Sequence, residues 1–130
     1  MDTATLTRLA ALRAQPKFVD EPGTIYNGMR PEHDRRAAET LLNNLIGRLM
    51  RDVGELPAKR FALPLFAQTL ARFPGHDTED RERMCRYIEQ IAEILGIGKP
   101  RGLLTRWLYG YVLGTLVLLF RRPREIDASV

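Results

Sequence analysis

Residues 77–111 read DTEDRERMCRYIEQIAEILGIGKPRGLLTRWLYGY, which predicts one helix, a hinge and the start of a second helix. Asp77 or Thr78 can cap the first of these helices with a side-chain oxygen, and the acids that follow suit the positive end of the helix dipole. Gly96, Gly98 and Pro100 predict the end of the helix. One face is expected to be buried because apolar residues recur at helical spacing: Met84, Ile88, Ile91, Ala92 and Leu95.

The rest of the chain shows the same helical spacing, interrupted by turn-forming residues. We predict helices at residues 1–15, 31–53, 57–73, 77–95 and 101–122, with a loop at 16–30 and a tail at 123–130. Thr3 or Thr5 is expected to cap the first helix, and Pro31 suits the first turn of the second. Pro64 predicts a kink or a late start in the third helix. The sequence therefore predicts an all-α, single-domain bundle of about five helices.

The loop at residues 16–30 contains two turn formers, Pro22-Gly23 and Asn27-Gly28. Four apolar side chains within it are expected to hold it against the helices: Phe18, Ile25, Tyr26 and Met29. This pattern favours a packed surface loop over a binding loop.

The last predicted helix carries no charge from Trp107 to Phe120, a run of fourteen residues between Arg106 and Arg121. A membrane-spanning helix needs about 20 apolar residues, so this run predicts a helix buried in the protein's own core. Gly110 and Gly114 would allow another helix to approach closely. Two alternatives remain: the segment packs against a second copy in a homodimer, or it anchors the protein to a membrane surface.

Composition narrows the functional classes. The net charge is +4, but the basic residues, 17 Arg and 3 Lys, are scattered among 16 acids. The only basic cluster is Arg121-Arg122-Pro123-Arg124, so the pattern argues against nucleic acid as the main partner. A single cysteine, Cys85, excludes an intramolecular disulfide framework and a multi-cysteine zinc site. Because the first residues do not resemble a secretory signal, we expect a cytoplasmic protein.

Candidate chemical groups do not form a catalytic pattern. His33 and His76 are the only histidines, and the acids near His76 would point in different directions from a helix. Cys85 lacks a nearby histidine and is expected to be a buried structural thiol. Residues 96–99 are too short for a phosphate-binding loop. We therefore predict no catalytic residue, no metal and no cofactor.

Two groups of polar residues remain as candidate sites. The first is expected to fasten the helix at 77–95 to the next helix, with Arg30 as another partner for its acids; it comprises Asp77, Thr78, Glu79, Asp80, Arg101, Arg106, Trp107 and Tyr109. For this first group, a structural role that joins the two helices is favoured over a role as a recognition site. The second lies on the polar face of the helix at 77–95 and is the predicted partner-binding set: Arg83, Arg86, Glu89 and Glu93.

Several short segments resemble an uncharacterised family of small bacterial helical domains. They are Arg72-Phe73, Asp77 to Arg83, Tyr87, Gly102-Leu103-Leu104 and Trp107 to Gly110, together with Tyr26-Asn27-Gly28 and Leu41-Leu42-Asn43. The hinge from Ile97 to Arg101 departs from the family's more serine-rich version, and the tail after Tyr111 lies outside the resemblance. The resemblance implies an all-α fold and a bacterial origin, but no reaction.

The leading functional hypothesis is a non-catalytic protein-binding domain. Small, motif-poor helical proteins of this kind are similar in type to immunity proteins that inhibit bacterial toxins, so a toxin or effector is the expected partner. The alternatives are a nucleic-acid-binding accessory protein that uses Arg101, Arg106 and the Arg121–Arg124 cluster, and a membrane-peripheral protein that uses its C-terminal helix.

Overall fold

The structure is a computed structural model that describes residues 1–52 and 58–120, with the backbone alone at residue 58 and at residues 111–120. This part of the chain contains five helices and no strand: α1 (Thr3–Ala14), α2 (Glu32–Asp52), α3 (Ala58–Ala71), α4 (Thr78–Leu95) and α5 (Arg101–Phe120). The predicted all-α fold of about five helices is confirmed. The chain divides after Pro100 into two compact units.

The first unit contains α1 to α4, in which α1 packs on α2 and α4, and α2 packs on α3. Each helix contributes the apolar side of its 3.6-residue repeat to one core. On α4 the predicted stripe is buried at Met84, Ile88, Ile91 and Ala92, whereas Leu95 is only half-buried. The other helices supply Leu9, Leu12, Ala38, Leu42, Leu45, Ile46, Leu49, Ala62, Leu65, Phe66 and Leu70.

The helix caps differ in part from those predicted. Asp2, rather than Thr3 or Thr5, caps α1, because its Oδ1 accepts the Thr5 N–H at 2.7 Å. Asp77 occupies the N-cap position of α4, but its side chain makes no capping hydrogen bond, so that part of the prediction is wrong. Asp77 takes part in the start of α4 through its backbone carbonyl, which accepts the Arg81 N–H at 3.1 Å.

Glycine ends α4 as predicted. Gly96 has a left-handed backbone with φ of 71°, and its N–H reaches the carbonyls of Ala92 and Glu93. The next N–H, from Ile97, bonds the same Ala92 carbonyl at 3.1 Å. These bonds satisfy carbonyls that the helix end would otherwise leave without partners.

Pro64 lies inside α3 and does not start it. The helix begins at Ala58, and Pro64 sits on its exposed side. Because water can solvate the carbonyl that loses its intrahelical donor there, the proline is tolerated. Of the two alternatives predicted for Pro64, the late start of α3 is therefore wrong.

The second unit starts at Arg101 and contains α5. Leu104 is buried, Trp107 and Leu108 are half-buried, and Tyr109 is exposed. Among the described residues, no helix is both long enough and apolar enough to cross a lipid bilayer. Several predictions lie outside the described part of the chain: the burial of the side chains at 111–120, the helix ends at Val53, Pro57 and 121–122, and the tail at 123–130.

Candidate functional site

The loop that joins α1 to α2, called here the anchored loop (residues 15–31), begins with a buried lysine. Lys17 is fully buried, and its ammonium donates to the carbonyls of Arg13 at 2.9 Å and Gln15 at 2.8 Å. A cation suits this position because the last carbonyls of α1 carry the negative end of the helix dipole. Burial lowers the pKa of Lys17. The lysine thus ties the start of the loop to the end of α1.

Two side chains of α2 hold the backbone of the same residue. The Lys17 N–H donates to Glu39 Oε2 at 2.7 Å, and Arg35 Nη1 donates to the Lys17 carbonyl at 3.0 Å. Arg35 also donates to Glu39 at 3.1 Å and to Glu32 at 2.8 Å. Because both backbone groups of Lys17 are bonded to charged side chains, the loop has a fixed position on α2.

Phe18 attaches the loop to α4. Its N–H donates to the Tyr87 hydroxyl at 3.1 Å, and its buried ring meets the Tyr87 ring edge-on with centroids 5.0 Å apart. A second aromatic contact joins Phe18 to Phe73 at 5.6 Å. The backbone of Phe18 is left-handed, with φ of 59°, which costs a residue other than glycine about 1–2 kcal/mol. Burial of the ring and the hydrogen bond to Tyr87 offset that cost.

The two limbs of the loop lie against each other. The Met29 N–H donates to the Phe18 carbonyl at 2.8 Å. Gly28 has a φ of 86°, and a Cβ atom placed on it would lie 2.8 Å from the backbone nitrogen of Asp20. Such a contact is too short for any side chain, so glycine is required for the close approach of the two limbs.

A tyrosine near the tip is joined to the first two turns of α4. The Tyr26 hydroxyl donates to Asp80 Oδ1 at 2.8 Å, and both residues are buried. The Arg83 guanidinium lies 4.5 Å from the centre of the Tyr26 ring, and Arg83 also forms an ion pair with Glu21 at 2.6 Å. One helix face therefore holds the tip through a charged hydrogen bond, a cation–π contact and a salt bridge.

The Asp80 carboxyl has a shifted pKa. Burial raises its pKa above the ordinary value of 3.8, and the hydrogen bond from Tyr26 acts in the opposite direction. The neighbouring charges of Asp77 and Glu79 raise the pKa of Asp80 further. Burial likewise raises the pKa of Tyr26, so its hydroxyl stays protonated and continues to donate.

The tip of this fixed loop exposes a large apolar side chain. Ile25 is 87% exposed, so its predicted role in holding the loop is wrong, whereas Phe18, Tyr26 and Met29 are buried as predicted. Ile25 faces solvent, whereas Tyr26, next to it in the chain, is buried. Ile25 borders a cleft of about 140 Å³ lined by Thr24, Ile25, Tyr26, Glu79, Glu82, Arg83 and Arg86.

The predicted partner-binding residues occupy three different places. Arg83 and Arg86 line the cleft: Arg83 contacts Tyr26 and Glu21, whereas Arg86 is exposed. Glu89 lies 3.6 Å from Lys99, and Glu93 borders a separate groove between α1 and α4. The four side chains lie on α4 but do not line one cleft.

The predicted polar cluster is distributed over both units. Asp80 bonds Tyr26, whereas Asp77, Thr78 and Glu79 are exposed at the start of α4. The other predicted members of the cluster, Arg101, Arg106, Trp107 and Tyr109, belong to the second unit. There, Arg106 Nε donates to the carbonyl of Gly102 at 3.2 Å. Their role in fastening α4 to α5 stays a prediction.

Sequence reasoning missed Lys17, Glu21, Arg35, Glu39 and Tyr87. One signal was available for α4: Asp80, Arg83 and Tyr87 are spaced i, i+3 and i+7, which places all three on one helix face. That spacing did not show that the three side chains would hold the loop beside α1.

The sequence singled out the lone cysteine and the possible metal ligands as candidate chemical groups. Cys85 is buried as predicted, and burial raises the pKa of its thiol to about 11, far from that of a reactive thiolate. In the part of the chain that the structure describes, no three His, Cys, Asp or Glu side chains are placed to hold a metal ion.

The chain belongs to a family described as "Domain of unknown function (DUF4844)", whose model matches residues 1–112. This match covers the anchored loop, α1 to α4 and the first part of α5. It confirms the predicted resemblance to an uncharacterised domain family. Comparisons with the curated proteins and with the solved structures find no match to this chain.

Proposed function

We propose that this member of a family of unknown function is a non-catalytic protein-binding domain whose contact surface is the tip of the anchored loop and the adjoining face of α4. The observation that carries the proposal is Ile25, which is 87% exposed on a loop whose other parts are fixed to three helices. Two of the three exposed large apolar side chains among the described residues, Val19 and Ile25, lie on this loop.

A single exposed isoleucine is common on protein surfaces and would not by itself indicate a partner. Here the backbone that presents it is held by Lys17, Phe18 and Tyr26 before any partner arrives. Binding through such a loop loses little conformational entropy, which is the main advantage of a preformed contact surface. A central apolar side chain surrounded by charged groups is also the usual arrangement of a binding hot spot.

The cleft beside Ile25 supports the same surface. Glu79, Glu82 and Arg86 are exposed around it, whereas Arg83 is neutralised by Glu21. The charged rim can select among partners and orient them, and Ile25 supplies apolar area at its centre. We propose Arg86 from the predicted set as a rim contact and assign Arg83 to holding the loop.

In its specific form, the proposal is an immunity-type inhibitor that covers the active surface of a toxin or effector. The helical fold and the preformed contact surface support this form. The predicted bacterial origin, the signature that joins residues 77–83 to 102–110, the cytoplasmic location and homodimer formation stay predictions. The nucleic-acid and membrane alternatives rest mainly on residues 111–124, outside the described side chains, and no described feature favours them.

The test uses the product of the neighbouring gene in the native genome, co-expressed with the full-length protein. We expect growth to be restored by the wild-type protein, and the two proteins to co-purify. Ile25→Ser should weaken binding by a factor of about 10 or more, as expected for a hot-spot residue. Arg86→Ala should weaken it less, because rim charges contribute little.

Arg36→Ala is the matched control, since Arg36 is 74% exposed on α2 and lies outside the cleft. Absence of both toxicity and binding would remove the immunity-type form. A partner that binds wild type and Ile25→Ser equally would refute the proposed contact surface.

A further inference from the structure

A second groove lies between α2 and α3, away from the residues of the anchored loop. It encloses about 130 Å³, and its polar lining includes Asn44, Arg48, Gln68 and Arg72. Its apolar lining includes Leu45 and Leu65, which are 4% and 7% exposed and form the floor. The groove therefore combines a leucine floor with a polar rim.

Among the residues that the structure describes, the charged side chains that line the groove are all positive, and no Asp or Glu is one of them. Every described polar side chain of the lining can donate hydrogen bonds. Among the described residues, Arg72 is exposed and has no ion-pair partner. Arg48 meets Asp52 at 3.5 Å, but both side chains are about half exposed, so this i,i+4 pair is weak. Both guanidinium groups are available to an anion.

We propose that this groove binds an acidic segment of a protein partner, with a carboxylate between Arg48 and Arg72 and an apolar side chain on Leu45 and Leu65. Guanidinium groups bind carboxylates through paired hydrogen bonds, which gives both strength and orientation. The leucine floor favours a polypeptide over a nucleic acid, because bases bind proteins largely by stacking on aromatic side chains, and the described lining contains none. The inference does not depend on the loop tip, since the two surfaces share no residue.

The experiment measures binding of a fluorescein-labelled peptide of repeated Leu-Glu-Glu-Leu units to the full-length protein by fluorescence anisotropy at low salt. Two further peptides replace every Glu by Gln, or every Leu by Ser. We expect the acidic peptide to bind, and each replacement to weaken binding by a factor of about 10 or more. Affinity should also fall as salt is added.

Protein variants locate the site. Arg72→Gln should weaken binding of the acidic peptide by a factor of about 10, because it removes a charge-assisted contact. Arg72→Lys should keep part of the affinity, since the charge remains while the paired geometry is lost. Arg8→Gln is the matched control: it makes the same charge change at an exposed position of α1.

Three outcomes would overturn the proposal. One is the absence of binding by the acidic peptide. Another is an equal loss of affinity in Arg72→Gln and Arg8→Gln, which would indicate attraction to the basic protein as a whole. The third is a single-stranded oligonucleotide that displaces the peptide and loses affinity in Arg72→Gln, which would assign the groove to nucleic acid.

Discussion

Removal of the Tyr26 hydroxyl should destabilise the protein, and the destabilisation should depend on the ionisation of Asp80. Tyr26→Phe keeps the buried ring and its contact with Arg83, but it removes the donor that lies 2.8 Å from Asp80 Oδ1. Asp80 is 5% exposed, so water cannot easily replace that donor. The buried carboxylate would lose the hydrogen bond from Tyr26 while keeping its charge.

The expected loss follows from the state of the carboxyl. A hydrogen bond to an ionised group contributes about 1.5–3 kcal/mol, whereas one between neutral groups contributes about 0.5–1.5 kcal/mol. We therefore expect Tyr26→Phe to lower the free energy of unfolding by about 2 kcal/mol near pH 7 and by about 1 kcal/mol where Asp80 is protonated. For a chain of this size, the larger loss lowers Tm by roughly 6–10 °C.

The direction of the pH dependence can be worked out from the pKa of Asp80. Since burial raises this pKa in the folded protein, the stability that Asp80 contributes is present below its ordinary value of 3.8 and is lost as pH rises through the folded pKa. The Tyr26 hydrogen bond lowers the pKa of Asp80, so its removal raises that pKa again. The destabilisation by Tyr26→Phe should therefore grow as pH rises through the folded pKa of Asp80 in the wild type, and level off above the higher folded pKa of Asp80 in the variant.

The assay is urea unfolding followed by circular dichroism, at several values between about pH 3.5 and pH 7. Asp80→Asn provides the control, because the amide oxygen can still accept from Tyr26 but does not ionise. In the Asp80→Asn background, Tyr26→Phe should cost about 1 kcal/mol at every pH. An equal cost of Tyr26→Phe at all pH values in the wild-type background would refute the role of the Asp80 charge.

Four further substitutions, with Gly23→Ala as the control for Gly28→Ala, test the loop. Gly28→Ala should lower the free energy of unfolding by about 2 kcal/mol or more, because the new Cβ would lie 2.8 Å from the nitrogen of Asp20. Gly23→Ala is the control, because Gly23 has a φ of 84° but no atom within 4 Å of the new Cβ. It should lower the free energy of unfolding by only about 1 kcal/mol in the same urea assay. Lys17→Met keeps the apolar stem and removes the ammonium that bonds two carbonyls of the α1 end, so it should cost about 1–3 kcal/mol; an unchanged Tm would contradict this. Ile25→Ser should change stability by less than about 0.5 kcal/mol, and a larger loss would show that Ile25 packs within the protein.

The helices could be predicted because their signals are local. Gly96 ends α4 because glycine readily adopts the left-handed backbone found at helix ends. Met84, Ile88 and Ile91 share the buried face of α4 because they recur at helical spacing. The anchored loop could not be predicted in this way. Its bonds join Phe18 to Tyr87 across 69 residues and Tyr26 to Asp80 across 54, and no spacing rule relates such distant positions.

The errors have physical causes of the same kind. Ile25 and Tyr26 both have large hydrophobic side chains. Tyr26 is buried, with its hydroxyl bonded to the Asp80 carboxylate, whereas Ile25 is exposed. Hydrophobicity alone predicted burial of both. Arg83 appeared to be a free charge on a polar helix face, yet its partner Glu21 lies on a distant loop. A charge pattern on one helix cannot indicate whether its partners come from the same chain or from another.

Whether a side chain is already paired within the chain determines where a partner surface should be sought. A charged side chain on α4 that already bonds the loop would have to exchange one ion pair for another on binding, which yields little net free energy. Arg83 would have to break its ion pair with Glu21 in this way. Ile25 would break no internal contact of this kind, because its side chain is exposed to water. Burial of such area against a partner contributes about 25 cal/mol per Å² without the loss of an internal bond. The polar groups of the loop and α4 therefore account for the rigidity of the surface, and its exposed apolar tip accounts for the proposed affinity.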